Sequence, residues 1–353
     1  MGTSKNMLKN IANLFQRIIL SLIKWKRGQN PENKSFVILP YLSYASRERV
    51  HIRGRVVEGL APLDFTKASH TFRHFVKVIK LFLALESPHV PIKIIIDTKD
   101  GPIRYRARTN AQGFFFLDAK WNGYMEESKE IPYHVSLDEN DSDYDSVIYT
   151  SHLFKIQPNT KKVIISDIDD TILKSKATSF TAMMMRTLFR PPQKRKAFPE
   201  ASKAYQILRK GSAKNNDIED NLFFYISSSS WNIYPLLKAF IELNQFPPGA
   251  LILQDIKTEK ATQTIAHGHK LDRIREVMEL YHDIPITLIG DAGQQDQDIY
   301  LEMARRYPKR IDKILIRNRW WTKTIQNQTD YLSQAKELKI SFEYFENLED
   351  IIH

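Results

Sequence analysis

The sequence has no cysteine in 353 residues. This excludes a disulfide framework and any thiolate metal site. A reducing cytosol is the simplest compartment for such a chain, although cysteine content alone does not fix it. No stretch reaches the ~18 uninterrupted apolar residues of a spanning helix. Zinc-finger spacing, a basic zipper and an aromatic RNA-binding signature are also missing, so the expectation is no nucleic-acid partner. Acid is scarce at the start: before residue 36 the only acid is Glu32, against Lys5, Lys9, Arg17, Lys24, Lys26, Arg27 and Lys34. That leader holds +6 of the chain's net +11, an asymmetry that suits an anionic partner.

Within the leader, Leu8, Ile11, Phe15, Ile18, Ile19 and Leu22 recur at helical spacing and form one apolar stripe. Gln16 and Arg17 break the stretch, and Lys24-Trp25-Lys26-Arg27 stands where a secretory signal would have small residues. Two readings stand. Residues 7–27 are an interfacial helix on an anionic membrane surface, or a terminal helix packed on its own protein. The expected location is cytoplasmic, with peripheral membrane attachment under the first reading.

Residues 1–35 are thus a basic amphipathic leader and linker, closed by the polar stretch around Pro31. Residues 36–158 are rich in strand patterns. Residues 50–56 alternate with period two, and further runs lie at 92–96, 103–109, 114–117, 133–137 and 147–156. Residues 70–85 have helical periodicity through Phe72, Phe75, Val76, Ile79 and Phe82. The expectation is a smaller β-sandwich-like domain with one inserted helix. His51, His70 and His74 are scattered without metal spacing. The acidic run 138–145 lacks the glycine and the terminal glutamate of a calcium loop and reads as solvated.

From 159 to 353 the pattern changes. Short apolar runs at 163–165, 222–226, 250–253, 286–289 and 311–316 alternate with helical stretches at 205–210, 234–244, 270–281 and 297–306. Such alternation predicts an α/β domain with a parallel sheet and helices on both faces. In such folds the ligand lies beyond the carboxyl ends of the strands, near the point where strand order reverses. Ser166, Asp167, Asp169 and Thr171 follow the first run, Ser227 to Ser230 the second, and Gly290, Asp291 and later Asp296 the fourth. Lys270 is placed at the opening of the helix that leads into the fourth run.

Several carboxylates at one sheet edge are tolerated when a hard divalent cation joins them, and magnesium also bridges to phosphate oxygens. Asp167 and Asp291 are the natural side-chain ligands, with Asp296 beside them. A carboxylate such as Asp167 can also attack phosphorus. Asp169, two residues on along an extended chain, points to the same side and can protonate the leaving oxygen, then activate water. Hydroxyls of Thr171, Ser227 and Ser228 can bind phosphoryl oxygens, and Lys270 can neutralise their charge. Singly, an Asp-x-Asp pair, a serine run or a Gly-Asp turn is commonplace. Their convergence at predicted strand ends points to phosphoryl transfer.

Asp167-Ile168-Asp169-Asp170-Thr171, Ser227, Lys270 and Gly290-Asp291 with Asp296 resemble, in order, the four motifs of the haloacid-dehalogenase superfamily. The resemblance implies a Rossmann-like catalytic domain, magnesium as cofactor, and metal contact by Asp169 through its backbone carbonyl. More narrowly, the first motif, Phe224-Tyr225-Ile226-Ser227-Ser228-Ser229-Ser230-Trp231 and Gly290-Asp291-Ala292-Gly293-Gln294-Gln295-Asp296 resemble the actin-patch-protein type of phosphatidate phosphatase. That family implies hydrolysis of a phospholipid, phosphatidate, to diacylglycerol and phosphate. Many members carry a strand-rich N-terminal region with a Gly-Arg-Val segment, here Gly54-Arg55-Val56. The likeness is strong over 160–320 and loose over 36–158. Two departures, Ser230 before Trp231 and Gln254 before Asp255, remove no catalytic group but bear on substrate preference.

Between the first and second motifs, Met183, Met184 and Met185 precede a basic run from Lys194 to Lys196. This suits either an acyl chain beside an anionic head group or a helix packed on the core followed by a solvated loop. The leading expectation is a magnesium-dependent phosphatidate phosphatase working through an aspartyl-phosphate. The alternatives are a phosphatase of a soluble phosphometabolite or phosphoprotein, and an inactive membrane adaptor.

Overall fold

The computed structural model describes residues 36–58, 85–121, 130–138, 147–157, 159–168, 199–211, 220–231, 234–254, 263–292, 295–318, 328–347 and 350. The leader, the helix expected at 70–85, the acidic run after Asp138, Asp169, Thr171 and the methionine-rich insertion lie outside the described residues.

The second half folds around a six-stranded, wholly parallel sheet. Its strands are β10 (Val163–Asp167), β11 (Leu222–Ser230), β12 (Gly249–Gln254), β13 (Ile286–Asp291), β14 (Ile311–Arg317) and β15 (Ser341–Phe345), in the order β12-β11-β10-β13-β14-β15. The central strands are continuous apolar runs because both faces are covered, as parallel sheets require. One face packs on α1 (Pro199–Lys210) and α2 (Tyr234–Leu243) through Tyr205, Leu237 and Phe240. The other packs on α3 (Gln263–Leu280), α4 (Asp296–Arg306) and α5 (Gln328–Glu337) through Ile274, Val277, Tyr300 and Ala335. From β10 the chain builds outward through β11 and β12, then returns to the other side of β10 with β13. The reversal therefore falls between β10 and β13, where a ligand crevice opens in sheets of this kind.

All five strand runs expected here are strands. Two elements were not anticipated: α5, and β15, whose alternating exposure marks a half-covered edge strand. One expectation is corrected. Helix α3 starts at Gln263, so Lys270 lies about two turns inside it rather than at its opening. The first turns are polar and show no apolar stripe that would announce them.

The first half forms a nine-stranded mixed sheet: β1 (Phe36–Pro40), β2 (Ser43–Ala45), β3 (Arg49–Glu58), β4 (Leu85–Glu86), β5 (Pro91–Ile96), β6 (Ile103–Arg108), β7 (Phe114–Lys120), β8 (Glu130–Leu137) and β9 (Tyr149–Lys155). The expected sandwich is corrected in its pairing. Hydrogen bonds join all nine strands, in the order β1-β3-β2-β9-β8-β5-β6, with β4 and β7 on β3. The outermost strands meet again where Tyr105 Oη of β6 donates to the Lys120 carbonyl of β7 at 3.1 Å. The sheet thus curls around one core that includes Ile52, Ile94, Phe115, Tyr133 and Leu153. Gly54 is needed there, because a Cβ at that position would fall 2.2 Å from the Phe115 ring.

The two sheets abut. Tyr234 Oη accepts from the Leu42 N–H at 2.6 Å, and Tyr281 Oη donates to the Ala45 carbonyl at 3.2 Å. The Tyr41 ring stacks on Trp231 and Tyr234 with centroids at 5.0 and 4.1 Å.

Candidate active site

The site collects at the carboxyl ends of β10, β11 and β13. Alternation along β10 turns Ser166 and Asp167 to opposite faces. Ser166 Oγ faces α1, lying 2.8 Å from Tyr205 Oη, and donates to the Asp167 carbonyl at 2.8 Å. Asp167 faces α3 and is buried. Next to it, Ile226 of β11 is its register partner, so the buried Ser227 follows at the same edge. Ser228 continues β11.

Strand β13 ends at Asp291, and Asp296, the first residue of α4, lies back against the strand end. Asp296 Oδ2 accepts from the Asp291 N–H at 3.2 Å. A carboxylate at the start of a helix is also favoured by the helix dipole. This approach depends on Gly290: a Cβ there would lie 2.4 Å from Asp296 Oδ2 and 2.8 Å from the Tyr300 ring. The Gly-Asp pair is therefore a packing requirement, since only glycine lets the α4 carboxylate come so near.

Lys270 reaches in from α3. Its Nζ donates to Asp167 Oδ1 at 2.9 Å and to Asp296 Oδ1, and all three side chains are buried. Burial alone would lower the lysine pKa. The charges of Asp167 and Asp296, with the hydrogen bonds to both, outweigh it and hold the ammonium above its ordinary value. The Tyr300 ring lies 6.0 Å from Nζ, and its hydroxyl donates to the Ile289 carbonyl at 3.0 Å. Burial first, then the Asp296, Asp167 and Asp291 charges, raise that phenol well above its usual range, so it stays a neutral donor.

One carboxylate oxygen from each of Asp167, Asp291 and Asp296 lies within 4.8 Å of the other two, and the three residues are buried. An all-oxygen donor set of this kind fits a hard divalent cation such as magnesium. Lys270 balances one of the three negative charges. Both Asp296 oxygens already accept hydrogen bonds, which makes that residue as much a holder of Lys270 as a ligand.

Of the residues singled out in the sequence, Asp167, Ser227, Lys270, Asp291 and Asp296 come together at this edge. Asp169 and Thr171 lie outside the described residues, as does the side chain of Ser228. Three further residues belong to the surroundings. Tyr205 and Tyr300 sit in amphipathic helices, where a tyrosine reads as core. Arg317 ends β14 as the register partner of Asp291 and is buried. Its charge acts on Tyr205, whose phenol is raised by burial and drawn partly back by Ser166 and Arg317. Applying the strand-end rule to the fifth apolar run would have found it.

Residues 162–318 match the family described as "Phosphatidate phosphatase APP1, catalytic domain". The chain is 30% identical over 156 residues to the phosphatidate phosphatase APP1 of Saccharomyces cerevisiae, covering 44% of this chain and 25% of that protein. It is 26% identical over 224 residues to an uncharacterized protein of Schizosaccharomyces pombe, covering 61% of this chain and 34% of that one. The chain thus spans between 25% and 34% of the length of these curated relatives. Among solved structures, a Bifidobacterium dentium beta-glucuronidase aligns over 88% of this chain and 59% of its own at 10% identity and a TM-score of 0.23, too low to bear on the fold.

Proposed function

We propose that this chain, whose residues 162–318 match the APP1-type phosphatidate phosphatase catalytic domain, hydrolyses phosphatidate to diacylglycerol and phosphate. The reading includes a haloacid-dehalogenase type of sheet for residues 159–353, a separate unit at 36–158, and a basic leader at 1–35. The observation that carries it is the buried bridge of Lys270 between Asp167 and Asp296 at the strand-order reversal. A structural salt bridge seldom places a surplus of carboxylate at that edge, because buried like charges repel.

In this reading an Asp167 carboxylate oxygen attacks the phosphorus. The bond from phosphorus to the glycerol oxygen breaks, and Asp169 gives its proton to that leaving oxygen. Asp169, now a carboxylate, takes a proton from water as the water oxygen attacks the aspartyl-phosphate. Phosphate leaves and Asp167 is regenerated. Ser227, Ser228 and Thr171 hydroxyls hold the phosphoryl oxygens, while the Lys270 ammonium keeps Asp167 aimed and offsets charge on the phosphoryl group. Asp167 and Asp291, with Asp296 and the Asp169 backbone carbonyl, are the groups that would hold magnesium, and the ion when bound would neutralise phosphoryl charge.

A phosphatidate head group is presented at a membrane surface, so the reading includes docking of residues 7–27 on anionic lipid and a cytoplasmic protein attached peripherally. None of the described helices is long and apolar enough to cross a membrane. The test is phosphate release from phosphatidate in mixed micelles and from a soluble ester, with and without magnesium. Magnesium-dependent release from phosphatidate is expected. Turnover of the soluble ester without release from any phospholipid would overturn the lipid assignment and favour a phosphometabolite or phosphoprotein substrate. Full activity of Asp167→Asn would overturn the nucleophile.

A further inference from the structure

Helix α3 carries Lys270, and its outward flank is held by the other sheet. Glu276, six residues further along, receives three hydrogen bonds. Tyr44 Oη donates to Oε1 at 2.8 Å, Arg53 Nη2 donates to Oε1 at 2.7 Å, and Arg273 Nη1 donates to Oε2 at 2.6 Å. The Arg53 and Glu276 side chains are only 16% and 18% exposed, so this is a partly desolvated contact and not a surface pair. Bonds to both oxygens, two from the N-terminal sheet and one from α3 itself, fix the carboxylate in place. Charge-assisted bonds of this length are the strong kind.

Arg53 also reaches a second element of the site. Its guanidinium carbon lies 5.8 Å from the Trp231 ring centroid and 4.8 Å from that of Phe116. Trp231 directly follows β11, the strand that delivers Ser227. One side chain of β3 therefore touches the helix of the lysine and the strand end of the serine hydroxyls. Arg53 and Tyr44 lie outside the segment matched to the catalytic family, which begins at residue 162.

We propose that Arg53 and Glu276 are positioning residues of the phosphatase site, through which the N-terminal sheet sets the placement of Lys270 and of the Ser227 strand end. The proposal rests on the function proposed above. Its physical basis is that Lys270 must meet two carboxylates at once, so a small slide or roll of α3 spoils both contacts. A misplacement near 1 Å costs about 10²-fold in rate even when its origin is far from the chemistry. Neither residue touches substrate, so the effect should fall on turnover and leave binding of a small ester unchanged.

The test uses the full chain with Arg53→Met, Arg53→Lys, Glu276→Gln and the Arg53→Met/Glu276→Gln pair, assayed on a small soluble phosphate ester. The expected result is a fall in kcat of about 10- to 100-fold for Arg53→Met and Glu276→Gln, with KM changed less than about twofold. The pair should cost less than the product of the two single losses, because both changes break the shared Arg53–Glu276 bond. Arg53→Lys, which keeps the charge but not the planar stack, should recover only part of the loss. Hydrogen exchange should quicken at the α3 amides around Lys270. Unchanged kcat in folded Glu276→Gln, or losses that multiply in the pair, overturns the proposal. Should Arg53→Met not fold, the isosteric Glu276→Gln alone decides. Wild type and Asp167→Asn run alongside separate the two claims: if wild type releases no phosphate the phosphatase reading fails, if Asp167→Asn stays active the nucleophile assignment fails, and if Asp167→Asn is dead while Glu276→Gln is normal only the positioning role fails.

Discussion

Lys270 Nζ donates a 2.9 Å hydrogen bond to Oδ1 of Asp167, a residue 103 positions earlier in the chain, with both side chains buried. The same ammonium bonds Asp296. Replacing Lys270 with Met would leave three clustered carboxylates without their cation. Breaking one partner of a buried ion pair costs about 3–5 kcal/mol, and losing a group that stabilises developing charge costs about 10²- to 10³-fold in kcat. Urea unfolding and steady-state kinetics of Lys270→Met check both; near-wild-type turnover would show that the lysine is only structural.

The Gly290 cradle makes a sharper claim. Alanine there is chemically mild, yet its Cβ would meet the Asp296 carboxylate at 2.4 Å. Asp296 should be pushed off the Asp291 N–H and off Lys270. Overpacking of this kind costs about 1–3 kcal/mol, and at least a tenfold loss of kcat is expected from the displaced lysine. A crystal structure of Gly290→Ala with Asp296 unmoved would refute it.

The buried triad of Asp167, Asp291 and Asp296 makes a claim about metal that needs no assay of turnover. Magnesium should raise the unfolding temperature of the metal-free protein. At about 100 times its dissociation constant a ligand adds about 2.7 kcal/mol. Asp291→Asn should remove most of that shift. Scanning calorimetry at graded magnesium reads it directly, and an equal shift in Asp291→Asn would exclude that carboxylate from the ligand set.

His51 gives the seam between the sheets a pH signature. It is buried, its ring stacks on Tyr44 at 5.3 Å, and its nitrogens lie 3.5 Å from Asp118 and 3.7 Å from Glu276. Burial, helped by the Arg53 and Arg49 charges, lowers its pKa more than Asp118 and Glu276 raise it. The unfolded chain therefore protonates His51 first, near its ordinary value of about 6.5. Stability should fall as pH drops below that value, down to the lowered native one. For Glu276 burial raises the pKa, but Arg53, Arg273 and the Tyr44 hydrogen bond outweigh it and leave it lowered. Its contribution should persist above the ordinary carboxylate value of about 4.3 and be lost only as pH falls through the native one. Urea midpoints from about pH 8 to about pH 2 should show two separate declines, and His51→Gln should erase the upper one.

The parallel strands were legible because each is an apolar run covered on both faces. Strand β15 was not, since an edge strand exposes alternate residues and shows no run. The first two turns of α3 are polar, which hid the start of the helix and moved Lys270 to the wrong place on it. At the site, strand ends pointed to Asp167, Ser227 and Asp291 by position alone. That Asp296 folds back through the gap at Gly290 could not be read, because it depends on one missing Cβ and not on a pattern. Tyr205 and Tyr300 were hidden because an aromatic in an amphipathic helix looks like core whether or not its hydroxyl bonds a strand end. The seam was hidden most deeply. Arg53 and Glu276 read separately as ordinary charges on a strand and a helix, and only the tertiary arrangement makes them partners.

The partners across that seam stand far apart along the chain: Arg53 and Glu276 by 223 positions, Tyr44 and Glu276 by 232, Tyr281 and Ala45 by 236. At about 5–20 residues per second of synthesis, the first sheet, complete at Lys155, waits roughly 6–24 s for Glu276 of the helix that covers its outer face. During that interval Tyr44, Arg53 and His51 stand on a curled sheet with Glu276, the carboxylate they meet, not yet made. A nascent chain paused before residue 276 should therefore be a better client for a chaperone than one paused just after 281.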